Sequence, residues 1–387
     1  MEAWRWRQGL LLVIAFQYSM GHAAVGLGVL MVLAIGELVA GEPLWARTSS
    51  DLGLLSLIGI AVLSSVLSEW RPFALTACAI FASTALVLIR AVVLAARRPQ
   101  FPERFLTAWA IGGAVAAAWA IAGLDTSVTA RAQLPGMGYN ALGTTMAVAT
   151  VLLAGLSAAG PRRRRLLCIA ALPVVALALV LTWSRGAWLG AGLGLATLAW
   201  RIGLRRLWPA ALAAVVILGV SAAALGPRWT WHLPRLQDVA PAEGPFSRIA
   251  VWRAVPGLVA SRPLLGSGFG TFIFAYEGSA QRDPALLGVP FAHNIFLNFA
   301  VETGLLGLAA LLLFLGAGLL DLVRWSVQSP AGSPASAVSA AALGAFVALV
   351  GHQLVDGTVM GAHMAVGLYA LVGLGGAASL KVSGKPA

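Results

Sequence analysis

This 387-residue chain contains three arginines whose positions suggest that they bind a ligand. Arg185 lies in the stretch Trp183-Ser-Arg-Gly-Ala187, and Arg248 and Arg253 lie together on one short predicted helix. An arginine presents a planar fork of donors that matches phosphate oxygens, and it stays charged at any working pH. The three side chains therefore predict a binding site for an anion.

Other interpretations of these arginines stay open from the sequence alone. Arg185 could be an interfacial side chain that extends to the lipid headgroups. Arg248 and Arg253 are five residues apart, so they lie on different helix faces and only one of them is expected to point inward. Either of them could also be a solvated surface charge.

A histidine provides the candidate for proton transfer. His293 precedes an apolar run in Phe291-Ala-His-Asn-Ile-Phe-Leu297, and Glu302 follows nine residues after it. An imidazole can take a proton near neutral pH, which suits a general base that acts on a hydroxyl. The alternative is a histidine at the start of a helix, satisfied by backbone groups, with Asn294 as the capping residue.

A second histidine is paired by spacing with a carboxylate. His352 and Asp356 are four residues apart on a predicted span, so they would share one helix face near its end. They predict either an orienting pair or a buried hydrogen bond. The sequence shows no metal-ligand cluster, no glycine-rich phosphate loop and no Ser-His-Asp or Cys-His signature, which leaves ATPase and protease functions without support.

The elements that position these residues are predicted to lie in a membrane. Hydrophobic residues make up 59% of the chain and charged residues only 10%, too few to cover a soluble protein of this size. Several charge-free stretches of 18 or more residues are long enough to cross hydrocarbon as α-helices, including residues 72–89, 166–184 and 303–320. The apolar runs are continuous rather than alternating, which argues against a β-barrel.

The net charge of +12 is explained by membrane orientation. In a soluble protein it would suggest a nucleic-acid partner, but here much of the positive charge lies in short loops and follows the positive-inside bias. No nucleic-acid partner is therefore expected. The basic clusters placed in the cytoplasm are at residues 5–7, 97–104, 162–165, 201–206, 324 and 381–385.

The sequence predicts an all-α polytopic membrane protein with about twelve transmembrane helices and both termini inside. Residues 1–225 would hold nine spans, residues 226–303 a large extracytoplasmic loop, and residues 304–387 three spans and a short tail. Eleven spans result if residues 8–40 form one helix. The predicted spans are residues 8–20, 22–40, 51–68, 73–95, 104–123, 139–159, 166–182, 186–200, 207–225, 304–323, 335–356 and 360–380.

The long loop between the ninth and tenth spans is the expected place for function. Loops of this length are uncommon unless they are functional or disordered, and its aromatic content argues against disorder. Residues 247–260 predict a short amphipathic helix, kinked or ended near Pro256, and residues 266–270 predict a turn. Few ionisable residues lie near the bilayer midplane, which weakens a transporter function.

Four stretches resemble a known family when taken in order. They are Ser184-Arg-Gly-Ala187, Arg248 with Trp252 and residues 263–270, His293 through Gly304, and His352-Gln-Leu-Val-Asp356. With them, residues 140–380 resemble the O-antigen ligase and O-antigen polymerase family of bacterial membrane glycosyltransferases. A small second outer loop, residues 125–139, favours the ligase branch.

The resemblance implies an inverting glycosyl transfer on the periplasmic face of the bacterial inner membrane, without metal or cofactor. A polyprenyl-diphosphate-linked glycan would be the donor, with its diphosphate on Arg185 and Arg248, and His293 would activate an acceptor hydroxyl. Lipid A-core is the first acceptor expected, and a growing glycan, as in a polymerase, or a protein or other surface polymer is the alternative. A lipid-linked glycan transporter is the alternative of a different class. Supporting roles are expected for Arg253, Glu302, His352 and Asp356.

Overall fold

A computed structural model shows an all-helical chain with no strand among the residues that it describes. The described residues are 3–383 without 19, 22, 40–46, 126, 128, 209–210, 213–214, 218, 220–222, 224–225, 227–247, 281, 283–287 and 359–361. The α-helices with described bounds are α1 Ala3–Tyr18, α2 Ala23–Val39, α3 Asp51–Val66, α4 Arg71–Ala96, α5 Phe101–Ala122, α6 Tyr139–Ser157, α7 Arg162–Leu181, α8 Arg185–Ile202, α9 Arg248–Ser261, α10 Phe272–Glu277, α11 Ile295–Gln328, α12 Pro334–His352 and α13 Ala362–Ser383. A 3₁₀ helix, Leu204–Leu207, follows α8.

The predicted fold class is confirmed at the level of a multi-pass helical membrane protein. Six helices in the described part of the chain are long and apolar enough to cross a membrane, namely α4, α5, α6, α7, α11 and α12. Helices α1 to α8 overlap the first eight predicted spans, and α11 to α13 overlap the last three. More than half of the ninth predicted span, residues 207–225, lies outside the described residues. Loop residues 227–247 lie outside them entirely. The count of twelve therefore stays a prediction.

Helix α8 packs closely on α12 through a row of glycines. A side chain at Gly190 would begin 2.5 Å from the carbonyl oxygen of Ala348, and one at Gly194 would begin 2.7 Å from that of Gly344. With Gly186, these glycines are spaced four residues apart and form one small-residue face, which lets two backbones approach in a membrane. The N-terminal end of α8 and the C-terminal end of α12 are thereby fixed against each other.

Helix α11 begins earlier than the sequence predicted and is broken at one glycine. The predicted span started at residue 304, whereas the helix begins at Ile295 with Asn294 as its N-cap. Gly304 has φ 69° and ψ −172°, a conformation that is open essentially to glycine alone. The amide of Leu305, beyond the break, donates to the carbonyl of Pro263 at 2.8 Å. The predicted loop boundary at residue 303 thus marks a break inside a helix.

The predicted turn at residues 266–270 is docked on this break. The amides of Ser267 and Gly268 donate to the carbonyls of Val301 and Glu302 at 3.0 and 2.9 Å. The Glu302 carboxylate accepts from the amides of Gly270, at 2.9 Å, and Phe272, at 3.1 Å. The turn therefore completes hydrogen bonds that the broken helix leaves open.

The described part of the long loop has a core of its own. Helix α9 runs through Pro256 to Ser261, so it does not end near the proline. Apolar side chains of α9 and α10 pack with residues on either side of His293, namely Val251, Ala254, Val255, Leu258, Phe272, Tyr276, Val289, Ala292 and Val301. This small core places the loop helices against the start of α11.

Helices α3 and α11 run antiparallel and define two ends of the molecule. At one end the Ser64 hydroxyl donates to the Glu302 carbonyl at 2.7 Å. At the other end Ser49, just before α3, donates to the Asp321 carboxylate. The end that contains His293 is called the site end below, and the other is called the opposite end.

Candidate functional site

His293 is held in an unusual backbone conformation by hydrogen bonds on both sides. Its φ is 52°, and only Trp183 shares a positive φ among the described non-glycine residues. Just before it, the Ala292 amide donates to Asn298 Oδ1 at 3.0 Å, and Trp252 Nε1 donates to the Ala292 carbonyl at 2.7 Å. A non-glycine residue with positive φ costs about 1–3 kcal/mol, so surrounding contacts must hold it there.

The residue after His293 anchors the start of α11. The Asn294 side-chain oxygen accepts from the amides of Phe296, at 2.9 Å, and Leu297, at 3.1 Å, which confirms the predicted N-cap. Its side-chain nitrogen donates to the Leu354 carbonyl at 2.8 Å. The histidine is therefore tied both to α11 and to the segment that follows α12.

Asp356 joins the predicted base to one of the predicted arginines. Arg248 Nη2 lies 3.0 Å from its Oδ2, and His293 Nδ1 lies 3.8 Å from its Oδ1. The aspartate side chain is only 2% exposed, whereas those of Arg248 and His293 are 35% and 18% exposed. A buried carboxylate thus lies between two partly exposed groups.

The charge of Asp356 is set by these neighbours. Burial raises the pKa of the Asp356 carboxyl, but His293, His352 and Arg248 together lower it more, so that the pKa falls below its ordinary value. The amide of Gly357 also donates to Oδ1 at 2.7 Å. Asp356 is therefore a carboxylate at neutral pH and can keep both partners in place.

The prediction that His352 and Asp356 share one helix is wrong, because α12 ends at His352. Asp356 lies beyond that end, where it contacts Arg248 and His293 and still interacts electrostatically with His352. The Nδ1 atom of His352 lies 2.6 Å from the hydroxyl of Thr144 on α6, which is itself 3.1 Å from the hydroxyl of Thr358. His352 therefore belongs to a buried polar layer directly beneath the site.

Arg185 is brought to the site end as the first residue of α8, and it is exposed. The next residue, Gly186, lies against the His352 ring: a side chain there would begin 2.7 Å from its Cδ2 atom. The preceding residue, Ser184, donates to Asn140 Oδ1 at 2.9 Å. The N-terminus of a helix and an arginine both favour an anion, so the two features act in the same sense.

The remaining two predicted supporting residues lie elsewhere. Arg253 is exposed, whereas Arg248 on the same helix contacts Asp356. The five-residue spacing predicted that only one of these two arginines would point inward. Glu302 is 1% exposed and holds the turn at Gly270 and Phe272. Its contacts make it a structural support of the loop.

Sequence reasoning missed Thr144 and Asn298, both fully buried. A sequence pattern marks each of them. Asn140 and Thr144 are polar residues spaced four apart in an apolar span, and Asn298 lies four residues from both Asn294 and Glu302. Polar side chains on one face of an intramembrane helix usually face the protein interior. That spacing predicts the buried layer now seen.

Comparison with known proteins agrees with the resemblance. Residues 169–312 match the family model described as O-Antigen ligase. The matched segment includes Arg185, Arg248, His293 and Glu302, and it ends before His352 and Asp356. No curated protein matches the chain. The match covers less than half of the chain; together with the helical membrane fold it supports a protein of the O-antigen ligase type, a glycosyltransferase-type family.

Proposed function

We propose that the protein transfers a glycan from a polyprenyl diphosphate to an acceptor hydroxyl with inversion at the anomeric carbon. The observation that carries this proposal is Asp356, which joins the diphosphate-binding candidate Arg248 to the general-base candidate His293. Lipid A-core is the first acceptor proposed, which makes the protein an O-antigen ligase. A growing glycan on the same carrier, which would make it a polymerase, is the alternative.

His293 acts as the general base in this proposal. Its Nδ1 atom faces Asp356 at 3.8 Å and is buried, so Nε2 is the nitrogen that takes the proton of the acceptor hydroxyl. The acceptor oxygen forms a bond to the anomeric carbon while the bond from that carbon to the diphosphate breaks. Catalytic hydrogen bonds are often long before substrate binds, so the contact with Asp356 is expected to shorten in the complex.

Arg248 and Arg185 bind the diphosphate and stabilise the negative charge that develops on it. A guanidinium has five donors, and Asp356 takes one of those of Arg248 while a third of that side chain is exposed. Fixed cations near a leaving diphosphate lower the barrier because they need no reorganisation during the reaction. The site end would face the periplasm in the bacterial inner membrane, where a lipid-linked donor can enter from the side.

A reconstituted transfer assay with a labelled polyprenyl-diphosphate glycan and lipid A-core tests the proposal. Wild-type protein is expected to make product, also in the presence of a metal chelator. His293→Ala should lower kcat by about 10²–10⁴-fold with little change in donor Kd, because only proton transfer is lost. Arg248→Ala should lower the rate by about 10²–10³-fold and also weaken donor binding.

Arg253→Ala is the matched control, because it removes an exposed arginine from the same helix. It should retain nearly the activity of the wild type. Near-normal product from His293→Ala would exclude the general-base role, and equal effects of Arg248→Ala and Arg253→Ala would exclude the specific clamp. Elongated donor-linked glycan without lipid A-core product would assign the polymerase, and bound donor without any glycosidic bond would favour a transporter.

A further inference from the structure

The contact with Asp356 does not by itself fix the orientation of the His293 ring. Its Nδ1 atom lies 3.8 Å from Asp356 Oδ1, which is longer than an ordinary hydrogen bond. The hydrogen bonds of Ala292 and Asn294 hold the backbone on both sides of His293, but they do not restrain the rotation of its side chain. A general base acts efficiently only when its ring is held in one orientation, so a further contact is needed.

The ring of Phe291 makes a contact of this kind. Its centroid lies 4.9 Å from that of the His293 imidazole, and the planes of the two rings meet at 68°. Aromatic pairs prefer this edge-to-face geometry, which depends on the orientation of both rings. Phe291 therefore adds a restraint on the imidazole to the one that the carboxylate supplies.

Phe291 is held in turn by the residue that follows the carboxylate. Gly357 is buried and packs against the phenyl ring so closely that a side chain there would begin 2.7 Å from Cδ2 of Phe291. Gly357 is not among the glycines with a positive φ, so its missing side chain matters for space and not for backbone conformation. Its amide also donates to Asp356 Oδ1 at 2.7 Å.

The four residues form a closed set of contacts around the candidate base. Asp356 faces one side chain of the pair, His293, and the next residue, Gly357, packs against the other, Phe291. The two aromatic rings contact each other. Ala292, between Phe291 and His293, is fully buried in the core of the loop, which fixes the backbone from which both rings project.

We propose that Phe291 is a positioning residue, which holds the imidazole of His293 in the orientation that takes the proton of the acceptor hydroxyl, and that Gly357 provides the space for the Phe291 ring. The inference rests on the proposed function and deepens it, since it says how the candidate base is oriented before substrate binds. Phe291 transfers no proton itself. Its effect is therefore expected on the chemical step and not on substrate binding.

Phe291→Leu in the full-length protein, reconstituted in nanodiscs, removes the aromatic ring but keeps an apolar side chain. It should lower kcat about tenfold to a hundredfold, because a small displacement of a catalytic group has an effect of that size, and it should leave the donor and acceptor KM unchanged. Phe291→Tyr keeps the ring and should retain most of the activity. A wild-type kcat in Phe291→Leu, or equal losses in the two variants, would overturn the inference.

Phe73→Leu is the matched control. Phe73 and Phe291 both line an apolar cavity of about 370 Å³, but Phe73 packs its ring against Phe274. The control removes a phenyl ring from the same cavity wall, and its kcat should equal that of the wild type. Equal losses of kcat in Phe73→Leu and Phe291→Leu would assign the effect to the cavity wall and overturn the inference.

Gly357→Ala tests the same contact from the other partner. The added methyl group displaces the Phe291 ring, and the cavity beside the ring gives it room to move, so the protein should still fold. We expect a lower kcat in Gly357→Ala, but no further loss when this change is added to Phe291→Ala, which leaves no ring to displace. Losses that multiply in the double variant would mean that Gly357 acts directly through Asp356, which would overturn the inference.

Chemical modification separates failure of this inference from failure of the proposed function. Diethyl pyrocarbonate acylates accessible neutral imidazoles, and mass spectrometry gives the rate at His293 whether or not this residue is the base. The rate should rise in Phe291→Leu and in Gly357→Ala but not in Phe73→Leu, with the buried His352 as the internal reference. If no variant forms product, a raised rate still supports the contact, and an unchanged rate in all three variants overturns it.

Discussion

Two residues of the site are held at positive φ although neither is glycine. His293 is the candidate base, and Trp183 lies two residues before the candidate diphosphate ligand Arg185. Such strain persists only where neighbouring contacts impose it, and it is concentrated at functional sites. The hydrogen bonds of Ala292 and Asn294 supply those contacts around His293. Backbone strain therefore lies at His293 and two residues before Arg185, the two groups to which the proposed function gives roles.

Asp356→Asn tests whether the carboxylate supports the base. The carboxylate lies 3.8 Å from His293 Nδ1 and can hold the ring in its orientation, so Asp356→Asn should lower kcat by about tenfold or more. Asp125→Asn, which changes an exposed aspartate, should leave kcat unchanged. A wild-type kcat in Asp356→Asn would exclude the supporting role of the carboxylate.

The same carboxylate makes a pH-dependent contribution to stability. Its pKa in the folded protein lies below the ordinary value, so the stabilisation is fully present above the ordinary value. It is lost as the pH falls through the lowered pKa. At neutral pH the contact between Asp356 and Arg248 is therefore intact.

The types of the site residues were predictable from the sequence, but their partners were not. Spacing indicated that only one of Arg248 and Arg253 points inward, and the Asn294 cap belonged to the alternative interpretation of His293 as a helix-start residue. Spacing also suggested that His352 and Asp356 share a helix, which is wrong because α12 ends between them. Contacts across elements, such as Asp356 with Arg248, depend on packing that local sequence does not encode.

At the scale of elements, the start of α11 shows why hydropathy placed the boundary too late. The first turns of this helix carry Asn298 and Glu302, which lower the hydropathy although both are buried. Hydropathy treats a polar side chain as exposed to water, whereas these two face the protein and make hydrogen bonds. The predicted start at residue 304 coincides with the helix break at Gly304.

Gly304→Ala should destabilise the protein strongly. The conformation of Gly304 costs a side-chain-bearing residue about 1–3 kcal/mol, and a Cβ atom there would lie 2.2 Å from the Leu264 carbonyl carbon. We expect a lower Tm in detergent and loss of transfer, because the turn at Gly270 would be displaced. Gly316→Ala on the same helix is the control, since nothing lies within 4 Å of its Cβ position. It should be neutral or stabilise by up to about 1 kcal/mol. Equal Tm values for the two variants would contradict the proposed role of the break.

At the scale of the whole molecule, the antiparallel helices separate the site from an opposite end that carries several of the basic clusters. Arg97 and Arg98 follow α4 there, and Arg201 on α8 donates to Ser326 near the end of α11 at 2.9 Å. Short loops rich in arginine remain in the cytoplasm, so the site end should face outward. The sequence predicts this orientation through charge alone, and the antiparallel helix packing adds which residues share each end.

Thiol labelling in right-side-out membrane vesicles tests that orientation. Ala280 follows α10 at the site end, and Ala331 lies between α11 and α12 at the opposite end; both are exposed. The native Cys78 and Cys168 are buried, so they should give little background. A membrane-impermeant maleimide should label Ala280→Cys at once, and Ala331→Cys only after the membrane is permeabilised. The reverse pattern would place His293 and Arg248 in the cytoplasm, where a periplasmic acceptor could not reach them.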